Sequence, residues 1–308
     1  MSMQSTRLAS SERTSLEHSA AIFFIVSALV LSILSLMSET ERIPPVSQKK
    51  NTLMQRVAHI STALKLNYSF NTPGTLHESA SKDESSSPYW WLDSGAKLHI
   101  YNGLGETVQG ALAFSDPWRA EYLATNSEDT ESGRHPQNIF RLVSRSSWEN
   151  ARVESSFYIV RDNLSLSKNR NESNGLLLMS RYRDEGQTLY YAGIRVDGTA
   201  VIKKKYKGTY FTMAQLQFLN GTYALSSHPN LLPHRQWIRL RADTITRPDK
   251  SVVITLSMKN DAGEWQKLVS ATDAGEFGGS PPIYGTYPVG IRTDFMDVRF
   301  DNFLAEKL

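Results

Sequence analysis

The rhythm of residues 89–308 limits the architecture more than any other feature. Short runs of β-branched and aromatic residues recur there, each cut off by Gly, Asn, Asp or Pro. Such runs build strands joined by tight turns. The pattern predicts strands at residues 97–101, 138–144, 152–160, 175–182, 189–196, 199–205, 237–242, 252–259, 289–292 and 298–304. Between Val196 and Thr199, Asp197-Gly198 leaves a two-residue loop of the kind that suits a type I′ hairpin turn. Asp261-Ala262-Gly263 marks a slightly longer turn. No segment between the strands reads as a helix, and parallel strands need long, usually helical crossovers. The fold class expected is all-β, an antiparallel β-sandwich.

The N-terminal part follows different rules. Ser19 to Met37 is a run of 19 residues without a charge. At about 1.5 Å per residue a helix of that length approaches the ~30 Å hydrocarbon core of a bilayer. The run is longer than the apolar region of a signal peptide, and Leu36-Met37-Ser38 is a poor cleavage site. An uncleaved transmembrane helix is therefore expected. Arg7, Arg13 and the amino terminus precede it and Arg42, Lys49, Lys50 and Arg56 follow it, so the charge count does not decide orientation. The domain type favours a short inside tail, residues 1–18, and an extracytoplasmic domain. Pro44-Pro45 should be extended, and Leu53, Val57, Ile60 and Leu64 are spaced as on a short amphipathic helix over residues 51–66. Residues 71–88, rich in Ser, Gly, Pro and charge, read as linker. The expected division is a stalk over residues 38–84 and a sandwich over residues 85–308.

Composition excludes several chemistries. The chain has no cysteine, which removes disulfides, Cys-ligated zinc, iron–sulfur clusters and thiol nucleophiles. A net charge of +3, from 34 Lys+Arg and 31 Asp+Glu, gives no global case for nucleic acid as a partner. The seven histidines show no metal-ligand spacing, and His228 and His234 read as solvated loop residues. P-loop, Gly-x-Ser-x-Gly and dinucleotide fingerprints are absent from the sequence.

The end of the chain carries a resemblance. Pro288-Val289-Gly290-Ile291-Arg292, followed by Val298-Arg299-Phe300-Asp301-Asn302-Phe303, resembles the last two strands of concanavalin A-like lectin/glucanase jelly rolls. Trp237-Ile238-Arg239-Leu240-Arg241 with Trp265 resembles their middle, and Ser94-Gly95-Ala96-Lys97-Leu98 their first strand. The resemblance covers residues 89–308 and implies a jelly roll, in a superfamily that includes laminarinase-type hydrolases, alginate lyases, laminin G-like modules and carbohydrate-binding domains. It also implies a place for a structural calcium ion where the first and last strands meet, with Asp301 and the Gly95 carbonyl as ligands. Two departures weigh against catalysis. The Glu-x-Asp-x-x-Glu strand of laminarinase-type hydrolases is missing. So is the Gln-x-His of the lyases, and Val289-Gly290-Ile291-Arg292 replaces their last strand.

Residues 181–210 hold seven cations and three acids, with Tyr182, Tyr190, Tyr191, Tyr206 and Tyr210 interleaved. Strand alternation places Leu177, Met179, Arg181 and Arg183 on one face. On the next strand Tyr191 and Arg195 oppose the apolar set Tyr190, Ala192, Ile194 and Val196. Trp237, Arg239 and Arg241 alternate with Ile238, Leu240 and Ala242, and Arg152 and Glu154 alternate with Val153. These nine, Arg152, Glu154, Arg181, Arg183, Tyr191, Arg195, Trp237, Arg239 and Arg241, are the candidate ligand-binding residues. Aromatic faces pack on sugar rings, and arginine recognises carboxylate or sulfate with two parallel bonds. The expected function is a membrane-anchored, non-catalytic glycan-binding or adhesion module that favours acidic glycans. A lyase or glycosidase acting on acidic polysaccharide is the alternative, and a protein-interaction module the third. An ordinary solvated face with cross-strand charge pairs would carry the same residues.

Overall fold

The computed structural model describes residues 64–308. The predicted transmembrane helix, the tail before it and nearly all of the predicted amphipathic helix lie outside them. Among the described residues no helix is long and apolar enough to cross a membrane.

The described chain is an antiparallel two-sheet sandwich. One sheet holds β1 (Lys65–Tyr68), β2 (Gly74–His77), β4 (Lys97–Tyr101), β5 (Leu104–Thr107), β7 (Ala151–Asp162), β12 (Trp237–Thr246), β13 (Val252–Lys259), β14 (Trp265–Asp273) and β16 (Met296–Lys307). Its order is β14-β13-β12-β7-β16-β5-β4-β2, with β1 also paired to β16. The other sheet runs β11-β10-β9-β8-β15-β6-β3. Its strands are β3 (Trp90–Ser94), β6 (Ile139–Trp148), β8 (Gly175–Arg183), β9 (Thr188–Arg195), β10 (Thr199–Tyr206), β11 (Thr209–Gln217) and β15 (Tyr287–Asp294). The inward residues of both sheets form one core that includes Trp90, Phe140, Phe157, Tyr190, Leu240, Ile254, Ile291, Phe300 and Phe303.

All ten predicted strands exist, most of them a residue or more longer than predicted. Six more were not predicted: β1, β2, β3, β5, β11 and β14. Paired sheet thus begins inside the segment read as stalk and linker. Lys65 faces Glu306 and Leu76 faces Leu98 in register, and Phe70 between them is fully buried.

Two local expectations need correction. A helix does interrupt the strands: α1 (Pro117–Thr125) lies between β5 and β6. Asp116 caps it, accepting the Trp118 N–H, and Pro117 fills its first turn. It buries only Tyr122, so no apolar stripe announced it. The β9–β10 turn is not type I′, which needs positive φ at two central residues. Gly198 alone is left-handed, at φ 79°, and its N–H donates to the Arg195 carbonyl. Val196 and Asp197 are the central pair, and the glycine follows them as a bulge.

Candidate functional site

The nine candidate ligand residues do not form one site, because they sit on different sheets. Arg152, Glu154, Trp237, Arg239 and Arg241 lie on β7 and β12 of the nine-stranded sheet, facing away from the core. There they satisfy one another. Arg152 pairs with Asp243 at 2.8 Å and Glu306 at 3.5 Å. Glu154 takes Arg239 at 3.0 Å and Arg241 at 2.6 Å. The Arg241 guanidinium lies 3.9 Å from the Trp265 ring centre, and Trp237 tilts against Tyr158 at 5.3 Å. This is the solvated face with cross-strand charge pairs.

Arg181, Arg183, Tyr191 and Arg195 belong to the seven-stranded sheet. A register shift between Ser180 and Arg183, with Arg181 at φ 54°, breaks the alternation of β8. Arg181 therefore turns inward and is buried. It donates to the Ile283 carbonyl, to the Glu149 carbonyl at 3.1 Å and to Thr246 Oγ1 at 2.6 Å. Tyr182 takes the outward place instead and donates to Asp93 at 2.7 Å. Arg183 pairs with Asp184 at 3.0 Å beside Tyr287. Arg195 is spent on the Glu172 carbonyl at 2.9 Å and on Asp197 at 2.8 Å. Lys204 faces inward and forms a buried pair with Asp273 at 2.9 Å, which also accepts from Tyr190.

Tyr191 does point outward, as alternation required. The outward face of this sheet carries its own apolar cluster of Trp91, Val143, Leu177, Met179, Tyr182, Leu189, Tyr191 and Val201. A cavity of about 410 Å³ lies over it. Tyr191 and half-exposed Tyr210 are stacked there at 6.0 Å. Arg292 of β15 donates from Nη1 to both hydroxyls, at 3.1 and 3.2 Å, and from Nε to Asp294 at 2.8 Å. Lys203 and Lys205 approach the Tyr210 ring at 6.0 and 5.1 Å. Among the described residues neither lysine forms an ion pair with a carboxylate. Asp129, Asn169, Asn171, Ser173 and Asn174 complete the rim. Asp129 accepts from Ser167 at 2.5 Å and Asn169 at 3.0 Å, which fixes the loop.

The electrostatics are uneven. Burial pushes the Tyr191 phenol up to about 12. Burial acts the same way on Tyr210, but Arg292 and Lys205 outweigh it and hold that phenol below the ordinary tyrosine range. Burial lowers Lys203, with help from Arg195, and also lowers Lys205.

Arg292, Tyr210, Lys203 and Lys205 were not among the nine. Arg292 lies in the motif that carried the resemblance, but a single strand does not reveal what its outward residue meets. Of the two expected calcium ligands, Asp301 accepts from the Asn302 N–H at 2.7 Å and from Asn302 Nδ2 at 2.8 Å, and the Gly95 carbonyl accepts from the Lys97 N–H at 2.8 Å. Among the described residues no three of His, Cys, Asp or Glu gather in a way that could hold a metal.

No protein family profile matches the chain, and no curated protein matches it. Solved structures do. A carbohydrate-binding module from Bacillus subtilis is similar at 10% identity and TM-score 0.43, over 70% of this chain and 94% of its own. A Bacillus licheniformis β-glucanase is similar at 8% identity and TM-score 0.43, over 80% of this chain and 100% of its own. A Lotus tetragonolobus seed lectin is similar at 7% identity and TM-score 0.41, over 76% and 97%. All three are concanavalin A-like jelly-roll sandwiches. The likeness is one of fold, and the functional argument rests on this chain's own residues.

Proposed function

We propose that this protein binds carbohydrate in the cavity on the outward face of its seven-stranded sheet, and that residues 19–37 hold it in a membrane with the sandwich outside the cytoplasm. The observation that carries the binding reading is the stacked Tyr191–Tyr210 pair beside Arg292 and Lys203 in an open cavity, with Lys205 approaching the Tyr210 ring. Tyrosine faces offer apolar area to a sugar ring, and the asparagine rim offers planar polar groups that fix its orientation. The two lysines, which form no ion pair with a carboxylate among the described residues, favour a ligand that brings a carboxylate or sulfate. The membrane part rests on the uncharged 19-residue run alone.

A glycan array probed with the full-length chain tests the reading. Uronate-containing glycans should give signal, and Tyr210→Ala with Lys203→Ala should remove it without changing the melting temperature appreciably. An array without hits would defeat it and favour a protein-interaction module.

A specific observation supports a second reading. A tyrosine of lowered pKa beside cations is suited to take a proton from the carbon next to a uronate carboxylate, while a lysine neutralises that carboxylate. Growth of unsaturated-uronate absorbance that Tyr210→Phe abolishes would make the protein a lyase; a flat trace would leave it a binding module.

A further inference from the structure

A second and larger cavity, of about 890 Å³, opens on the same face of the seven-stranded sheet. Ile139 lines both cavities. Arg141 of β6, in the second, stands opposite Arg292 of β15, in the first, in the strand register. The two hollows are therefore successive stations on one line across the strands, whose spacing is about 4.8 Å.

The second hollow has a different chemistry. Its aromatic wall is Trp118 with Tyr122, both on α1. The Trp118 indole is fixed in place: its N–H donates to His77 Nδ1 at 3.1 Å. Asp116, the N-cap of the same helix, is tied to Lys97. Tyr122 donates to Glu78 at 2.5 Å. Five carboxylates face the space, from Glu78, Glu84, Asp93, Glu121 and Glu185, against the single guanidinium of Arg141. Asp93 already pairs with that guanidinium at 2.7 Å. Burial raises both Glu78 and Asp93 above the ordinary carboxyl range, against the pull of Tyr122 on one and Arg141 on the other.

A uronate placed here would meet like charge in a partly desolvated space, where repulsion is weakly screened. An uncharged sugar fits the same walls. Its hydroxyls donate to carboxylate oxygens and its apolar face packs on the indole.

We propose that the cleft against Trp118 is a second subsite of the groove that takes an uncharged sugar residue, so that the ligand is a mixed glycan pairing neutral with acidic sugars rather than a homopolymer of uronate. The proposal rests on the first cavity being a sugar site that accepts uronate.

Calorimetric titration of the full-length protein at one fixed salt concentration tests it with four probes. These are the dimer and hexamer of a homouronate, and the dimer and hexamer of a chain alternating uronate with neutral sugar. The alternating hexamer should bind about tenfold or more tightly than its dimer, and the homouronate hexamer should gain little over its own. Trp118→Ala should return the alternating hexamer to the affinity of its dimer and leave both dimers unchanged, while Trp118→Phe keeps part of the gain. Glu121→Gln with Glu185→Gln should raise homouronate hexamer affinity. Equal gains for the two hexamers, or no effect of Trp118→Ala on the alternating one, would overturn the proposal while dimer binding still upheld the first cavity. If neither dimer bound, the reading of the first cavity would fall and this one with it.

Discussion

At Arg181 the guanidinium has left water and found two carbonyls and a hydroxyl, at 1% exposure. Burial lowers its pKa, yet arginine stays charged under ordinary conditions. Arg181→Leu would leave the Ile283 and Glu149 carbonyls without this donor, at a cost of about 2–4 kcal/mol. Urea unfolding should show that loss, and a change near zero would mean water replaces the side chain. Tyr210, three strands away at the sheet edge, is half-exposed and contributes little to the core, so its replacement should be read in ligand binding. The sequence could not separate these two residues. Strict alternation put Arg181 outward beside Leu177 and Met179, and a bulge reversed it. A bulge is a backbone adjustment set by what packs on both sides of the strand, and that information is spread over β15, β12 and the loop at Ile283. Tyr191 was legible because β9 keeps its alternation through every residue from Leu189 to Ile194.

Elements read well from sequence when one face is buried and a turn residue marks each end. β13 was predicted to the residue. β3 was missed because all but one of its five residues are buried and no alternation shows. β11 was missed for the opposite reason, since neither face is fully buried. The loop between β11 and β12 shows how a segment without regular structure is held. Asn230 Nδ2 donates to Asp162 at 2.8 Å, and the Arg235 N–H donates to the Ile159 carbonyl at 2.9 Å. His234 is not the solvated loop residue its surroundings implied. Its Nε2 lies 3.0 Å from Asp162 and its Nδ1 lies 3.1 Å from the Leu232 carbonyl. Both partners are acceptors, so both ring nitrogens must carry protons to satisfy them. The hydrogen bond to Asp162 accordingly raises the His234 pKa above its ordinary value, against the effect of burial. The folded state holds this proton more tightly than the unfolded chain, whose histidine titrates near about 6.5. The stabilisation is complete below that value and is lost as pH rises through the higher folded value. Urea midpoints measured from acid to alkaline pH should fall across that window, and His234→Gln should flatten the fall. A wild-type curve flat through the window would contradict the assignment.

Across the whole molecule, the sandwich is held by sheet packing and buried polar hubs. Asp297 is one hub, fully buried, accepting from Arg161 at 2.6 Å, Gly110 N–H at 2.7 Å, Gln137 at 2.8 Å and Asn163 at 3.0 Å. β1 and β2 are as much a part of the core as the later strands. A fragment starting at residue 85, the boundary read from sequence, would lose buried Leu66, Phe70 and Leu76. Phe70 also stacks on Trp90 at 6.1 Å. Three such side chains contribute about 5–9 kcal/mol, comparable with the entire stability of a typical domain. The fragment 85–308 should therefore lack a cooperative thermal transition that the full-length chain shows; a sharp transition near the full-length value would mean the first two strands are dispensable. The sandwich class was legible in sequence because it follows from local rhythm. The division of the nine candidates between two opposite sheets was not, since pairing order is a property of contacts far apart along the chain.

The first and last strands of the described chain lie side by side, with the Lys307 N–H bonded to the Leu64 carbonyl at 3.0 Å. The first and last described strands therefore both belong to the nine-stranded sheet, while the cavities open on the seven-stranded one. Under the proposed reading, a sensor surface coupled through the C-terminal end of the last strand would hold the nine-stranded sheet and leave the cavity side clear for large polymers.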